Sequence, residues 1–180
     1  MRIKREETAA LVIDFQEKLF PFIYDSENLT ANSIRLIRGL KALGIKLFVT
    51  EQYSKGLGHT VGPIREALGD YSHIEKSSFS CCGNDDVCSV LENSGMKNIL
   101  VFGIEAHVCV LQTTVDLIKK GYRPVLIEDC VSSRNSNDKK VAVERMRAEG
   151  AVITTYESIL FELCEVSGTD TFKAISKIVK

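Results

Sequence analysis

One thiol, one amine and one carboxylate in this chain stand where short apolar runs end, and together they suffice for acyl transfer through a sulfur nucleophile. Cys109 lies six residues past Gly103, in the first turn of a helix that the spacing opens near His107. Amide N–H groups and the helix dipole at that position favour a thiolate, so a thiol pKa below the free value of about 8.5 is expected. Lys76 offers an ammonium to hold the sulfur anion. Asp14 offers a carboxylate that can take the thiol proton and return it to a leaving group. His107, two residues before the thiol, leaves a Cys-His pair open as the other arrangement. Around these, Gln16 and Gln52 are candidate polar contacts for a substrate, and Phe15, Phe20, Tyr53 and Phe79 are candidate apolar walls. His73 and Glu75 alternate with Ile74 and Lys76 along one run, so they face away from the site.

The elements that must position these groups follow a phrase repeated four times: an amphipathic stretch, a glycine, then a short apolar run. The glycines are Gly44, Gly95, Gly121 and Gly150. A glycine just past a helix takes the left-handed conformation that closes it. The runs that follow are 45–50, 98–103, 124–129 and 151–156. They are continuously apolar, as in strands covered by helices on both faces of a parallel sheet. With 10–15 at the start and 73–78 in the middle, six strands are predicted. Helices are predicted at 30–43, with Ile34, Ile37 and Leu40 on one face, and at 107–120, with Val108, Leu111, Val115 and Ile118 on one face. Two more fall at 137–149 and 169–179, the latter capped by Thr169 or Asp170. The expected architecture is a single domain, residues 1–180, α/β in class. It is a three-layer αβα, Rossmann-like fold whose six parallel strands run in the order 3-2-1-4-5-6, joined by right-handed crossovers. Such sheets bind ligands beyond the carboxyl ends of their strands, where Asp14, Lys76 and Cys109 all lie.

Composition narrows the partners. Of 180 residues, 44% are hydrophobic and 26% charged, and 23 basic against 24 acidic residues give a net charge of -1. No basic block offers a footprint for nucleic acid or an anionic membrane surface. No apolar run approaches the roughly 20 residues that cross a bilayer, and the first residues lack a signal-peptide pattern. An intracellular, cytoplasmic protein is expected, with its six cysteines as free thiols. The segment 80–88, SCCGNDDVC, contains no C-x-x-C pair and is read as two loop cysteines and one on a short helix. The glycines of 56–62, GLGHTVG, do not keep dinucleotide-binding spacing and are read as a flexible loop over the pocket.

Five strings in order, ALVIDFQEKLFP (10–21), VTEQYSKGLGHTV (49–61), EKSSF (75–79), GIEAHVCVLQTTVDL (103–117) and DCVSSR (129–134), resemble the isochorismatase-like cysteine hydrolases. Within that family the metal-free, isochorismatase-domain-containing subgroup is the nearest match. The resemblance covers nearly the whole chain. It implies a catalytic triad of Asp14, Lys76 and Cys109, which gives Lys76 the electrostatic role that His107 would otherwise hold. It also implies a cis peptide between Ile104 and Glu105 that aims a backbone N–H into the site, with the N–H groups of Glu105 and Cys109 as an oxyanion hole. Nicotinamidases of the superfamily carry an aspartate and histidines after the second strand, where this chain has EQYSKGLGH with only His59. No metal and no cofactor are therefore expected. Cys109 argues against the vinyl-ether cleavage of true isochorismatases. The resemblance implies a small-molecule amide or related acyl substrate, a thioester intermediate and a homo-oligomer, dimer or larger. The alternative on the same fold is a non-catalytic scaffold or a redox-sensitive thiol protein.

Overall fold

The computed structural model describes residues 1–180. The chain alternates strand and helix: β1 (Thr8–Ile13), α1 (Ser26–Ala42), β2 (Lys46–Gln52), α2 (Ser54–Leu57), α3 (Gly62–Leu68), β3 (His73–Lys76) and α4 (Asp85–Ser94) make its first half. The second half is β4 (Asn98–Ile104), α5 (Leu111–Lys119), β5 (Arg123–Ser132), α6 (Ser136–Glu149), β6 (Val152–Thr154), α7 (Tyr156–Cys164) and α8 (Asp170–Val179). All five strand pairs are parallel, in the order β3-β2-β1-β4-β5-β6. Every residue of β1 and β4 is buried. That is why these two runs carry no alternation: helices shield them on both sides. α1 packs against α3, α7 and α8, whereas α5 packs against α6 and the 81–83 turn, giving a helical layer on each face.

Glycines end the helices as the sequence predicts, with Gly95 and Gly150 left-handed at the close of α4 and α6. Several boundaries differ, each for a local reason. β1 starts two residues earlier than expected and stops before Asp14, whose φ of 51° turns the chain out of the sheet. β5 runs on to Ser132 because its pairing with β4 skips residues: Val101 pairs with Leu126 but Gly103 with Val131. β6 is only three residues long, because Thr155 takes the amide of Ser158 on its hydroxyl and opens α7. That helix is not among the predicted ones; its buried Ile159, Leu160 and Leu163 have no preceding glycine to mark them.

The stretch predicted as a continuous helix from 107 opens instead with a wide turn over Ala106–Val110, in which the Val110 amide reaches back five residues to the Glu105 carbonyl. The buried face of α5 is then Thr113, Thr114 and Leu117, and Leu111, Val115 and Ile118 are only partly covered. Thr113 is drawn inward because its hydroxyl accepts from the Cys81 amide at 2.9 Å. No helix is long and apolar enough to cross a membrane.

Candidate active site

Asp14 is the first residue beyond β1, and aspartate is one of the few side chains that tolerates its left-handed backbone. Its carboxylate is fully buried and held from two sides. Thr50 on β2 donates its hydroxyl to Oδ1 at 2.7 Å, and Lys76 Nζ lies 2.7 Å from Oδ2. Lys76 ends β3, two strands from β1, and its long side chain reaches past β2 to make that ion pair. The ammonium also donates to the carbonyls of Ser78 at 3.0 Å and Phe79 at 3.1 Å, which is why the chain leaves the strand after Lys76. Both charges are wholly removed from water.

Gly103 lets the third group approach. It pairs with Ile13 across β1 and β4, at a φ of 132°, and a Cβ there would stand 2.0 Å from the Ile13 carbonyl oxygen. Only a glycine brings the end of β4 this close to Asp14. The chain then passes through a cis peptide between Ile104 and Glu105 into the wide turn that carries Cys109. The Glu105 N–H makes no hydrogen bond within the protein. Cys109 is 5% exposed, and its Sγ donates to Gln52 Oε1 at 3.1 Å.

The electrostatics overturn one expectation. Burial alone would lower Lys76, but the Asp14 carboxylate and the sulfurs of Cys81 and Cys109 outweigh it and hold the ammonium above its ordinary value. Burial pushes the Cys109 thiol well up, the Asp14 carboxylate adds to the rise, and Lys76 opposes both without reversing them. These surroundings favour the neutral Cys109 thiol, not the thiolate that a helix N-terminus would favour. Desolvation of the anion outweighs the local dipole. Cys81, wholly buried behind Thr50, is likewise pushed up by burial to about 11.

The predicted lining residues divide. Gln52 touches the thiol, and Tyr53 and Phe79 are exposed next to Gln52 and to the Lys76 partners, at 57% and 53%. Phe15 is not a pocket wall: it is 1% exposed, with its ring centroid 6.3 Å from Phe20 and 6.2 Å from Phe102 in the core. Phe20 packs against that core too. Gln16 is not a free polar contact either, since its buried amide bonds the backbones of Gln52 and Gly58. His107 Nδ1 lies 2.9 Å from Ser133 Oγ, and the ring makes no hydrogen bond to Cys109 Sγ, which turns to Gln52 instead.

Three features lie beyond what the sequence signals. Glu105 Oε1 accepts from Arg134 Nε at 3.0 Å, tying the turn before Cys109 to the end of β5; the final residue of DCVSSR is the one trace of it in the sequence. Thr50 reads in sequence as an ordinary strand residue. Buried Glu51 accepts from Thr60 N and Oγ1, both at 2.8 Å, and meets His59 Nδ1 at 2.9 Å and His73 Nε2 at 3.5 Å. The glycine-rich loop is therefore pinned at Thr60, which also bridges to Gln16, and is not a free flap. No group of three or more His, Cys, Asp or Glu side chains is spaced to hold a metal ion. A cavity of about 480 Å³ lined by Arg2, Lys4, Lys97 and Arg123 lies at the opposite, amino-terminal end of the strands. There Lys97 already pairs with Glu7, and Arg123 with the Met1 carbonyl.

Comparison with known proteins adds to this geometry. Residues 8–158 match the isochorismatase domain. The chain is 38% identical to isochorismatase family protein 1B of Dictyostelium discoideum over 183 aligned residues, covering 99% of this chain and 89% of that one. A solved structure described as MAR1 ribonuclease, from Caenorhabditis elegans, superposes with a TM-score of 0.93 at 38% identity, over 99% of this chain and 92% of that one. The Escherichia coli YcaC product, described as an octameric hydrolase of unknown specificity, shares the fold with a TM-score of 0.92 at 20% identity, over 99% of this chain and 89% of that one.

Proposed function

This chain belongs to the isochorismatase family, and from that premise we propose that it is a metal-independent cysteine hydrolase of small amide or related acyl substrates. The observation that carries the reading is the ion pair of Asp14 and Lys76, 2.7 Å long and shut off from water, beside a thiol that burial keeps protonated. A neutral thiol needs a base beside it, and the buried Asp14 carboxylate, with one oxygen fixed by Thr50 and a hydrogen bond to the Cys109 side chain, is such a base. As the sulfur attacks the carbonyl carbon, its proton passes to Asp14 and the carbonyl π electrons move to oxygen. The backbone N–H groups of Glu105 and Cys109 receive that oxyanion; the absence of any other acceptor for the Glu105 N–H supports the assignment. Collapse breaks the C–N bond, and Asp14 gives its proton to the departing amine. Water then loses a proton to Asp14 and attacks the thioester, and the released sulfur takes the proton back. Lys76 holds the carboxylate in place throughout and offsets the negative charge that moves between sulfur and Asp14.

Intact-mass spectrometry after exposure to a panel of small amides and esters tests this. An acyl adduct on Cys109 that vanishes in Cys109→Ala supports the reading. The panel includes an RNA oligonucleotide because the similar worm structure is described as a ribonuclease; turnover of any member that persists in Cys109→Ala refutes it. A homo-oligomer and a cytoplasmic setting belong to the same proposal. Exposed Phe22, Tyr24 and Val141 supply apolar surface for assembly, which light scattering reads directly.

A further inference from the structure

Gln52 makes contacts that the hydrolytic steps above do not use. Its Oε1 accepts from Cys109 Sγ at 3.1 Å and lies 3.4 Å from Lys76 Nζ. An ammonium has only donors, so the amide must turn its oxygen inward. Its Nε2 makes no hydrogen bond in the protein, and the side chain has no second anchor that would hold it the other way round. The backbone behind it is clamped. Gln52 N donates to Gln16 Oε1 at 2.7 Å, and Gln16 Nε2 donates to Gln52 O at 3.0 Å and to Gly58 O at 2.7 Å. Gln16 is itself fully buried, so this clamp holds the Gln52 backbone in place beside the sulfur. An amide oxygen in that place stabilises S–H as an acceptor and opposes the sulfur anion with its partial negative charge.

We propose that Gln52 is the positioning residue that keeps Cys109 as a neutral thiol until substrate arrives. At rest Cys109 Sγ donates to Gln52 Oε1, while the Asp14 carboxylate and the Cys81 sulfur face the same thiol and favour its neutral form, and the Lys76 ammonium opposes them. When the sulfur turns toward a substrate carbonyl, that hydrogen bond breaks and the proton moves to the Asp14 carboxylate. The electron pair stays on sulfur, and Gln52 gains and loses nothing. The inference rests on Cys109 being the nucleophile proposed above, but its test reads the thiol itself and needs no substrate.

Iodoacetamide alkylation of Cys109 is followed by peptide mass spectrometry across pH 6 to 10.5 in wild type, Gln52→Leu and Gln52→Glu, with partly exposed Cys164 as the internal reference. Loss of the acceptor speeds Cys109 labelling by about threefold to tenfold throughout this pH range, the effect of one net hydrogen bond. The added carboxylate of Gln52→Glu slows labelling over the same range. Shifts in the same direction, or a Gln52→Leu profile that overlays wild type, overturn the proposal. Cys130 is fully buried and reports unfolding; should it label in Gln52→Leu, the equally long Gln52→Met supplies the same measurement. Failure of the hydrolase reading shows separately, as an absent acyl adduct with these opposite shifts still present.

Discussion

Lys76→Met isolates the ion pair on which the site is built. Asp14 and Lys76 are 0% and 1% exposed, so solvent screening does not discount their interaction as it would at a surface. Removing the ammonium leaves a buried carboxylate with only the Thr50 hydroxyl at 2.7 Å, and it leaves the Ser78 and Phe79 carbonyls without their donor. Breaking one side of such a pair costs about 3–5 kcal/mol. With a urea m-value of about 2 kcal/mol/M, that lowers the unfolding midpoint by roughly 1.5–2.5 M. The diagnostic comes from the double variant Lys76→Met/Asp14→Asn. Asparagine tolerates the left-handed φ of 51° at this position and carries no charge, so the second substitution replaces a stranded anion with a neutral amide. The double variant is therefore more stable than Lys76→Met alone, by about 1–3 kcal/mol. Equilibrium urea unfolding of the four proteins, followed by far-UV circular dichroism, closes the cycle. A loss below about 1 kcal/mol in Lys76→Met, or a double variant less stable than that single one, would refute the account of a desolvated, mutually dependent pair.

Two further outcomes follow from the same geometry. Gly103→Ala loses more than about 4 kcal/mol and accumulates as unfolded protein, because its Cβ would sit 2.0 Å from the Ile13 carbonyl oxygen at a φ of 132°; a soluble variant within about 1 kcal/mol of wild type in urea contradicts the close approach of β1 and β4. Burial raises the thiols of Cys81, Cys109 and Cys130 in the folded chain, whereas unfolded thiols titrate near about 8.5. The folded state then keeps protons that the unfolded state loses, so this contribution to stability is intact below about pH 8.5 and falls as pH rises. Each of these three thiols gives up about 1.4 kcal/mol by pH 9.5, or roughly 4 kcal/mol together, and half-buried Cys82, raised the same way, adds to the loss. Urea unfolding at pH 7.5 and 9.5 measures the difference, and a flat or rising profile counts against the burial of these sulfurs.

Much of the fold is legible because its signals are local. A glycine that closes a helix and an apolar run that follows it are neighbours in the chain, so the alternation of helix and strand can be read directly. The runs at β1 and β4 lack any period-two pattern, which points to a parallel sheet, and the ends of such strands name Asp14, Lys76 and Cys109 as residues worth placing together. α7 is hidden for the converse reason: Thr155 ends a strand and caps a helix in one residue, with no turn between them to read. Phe15 and Gln16 follow Asp14 in the chain and so look like lining. The left-handed turn at Asp14 sends Phe15 into the core and spends Gln16 on the backbones of Gln52 and Gly58.

The order of the strands, the type of sheet and the small set of reactive side chains at its carboxyl edge are written in the amino-acid sequence. Three-dimensional packing is what carries Lys76 across β2 to Asp14, turns Gln52 toward the sulfur and raises the thiol by burying it. The division has a physical cause: helix caps and hydrophobic runs act between residues near in sequence, whereas desolvation and ion pairing depend on which groups distant in sequence exclude water from one another.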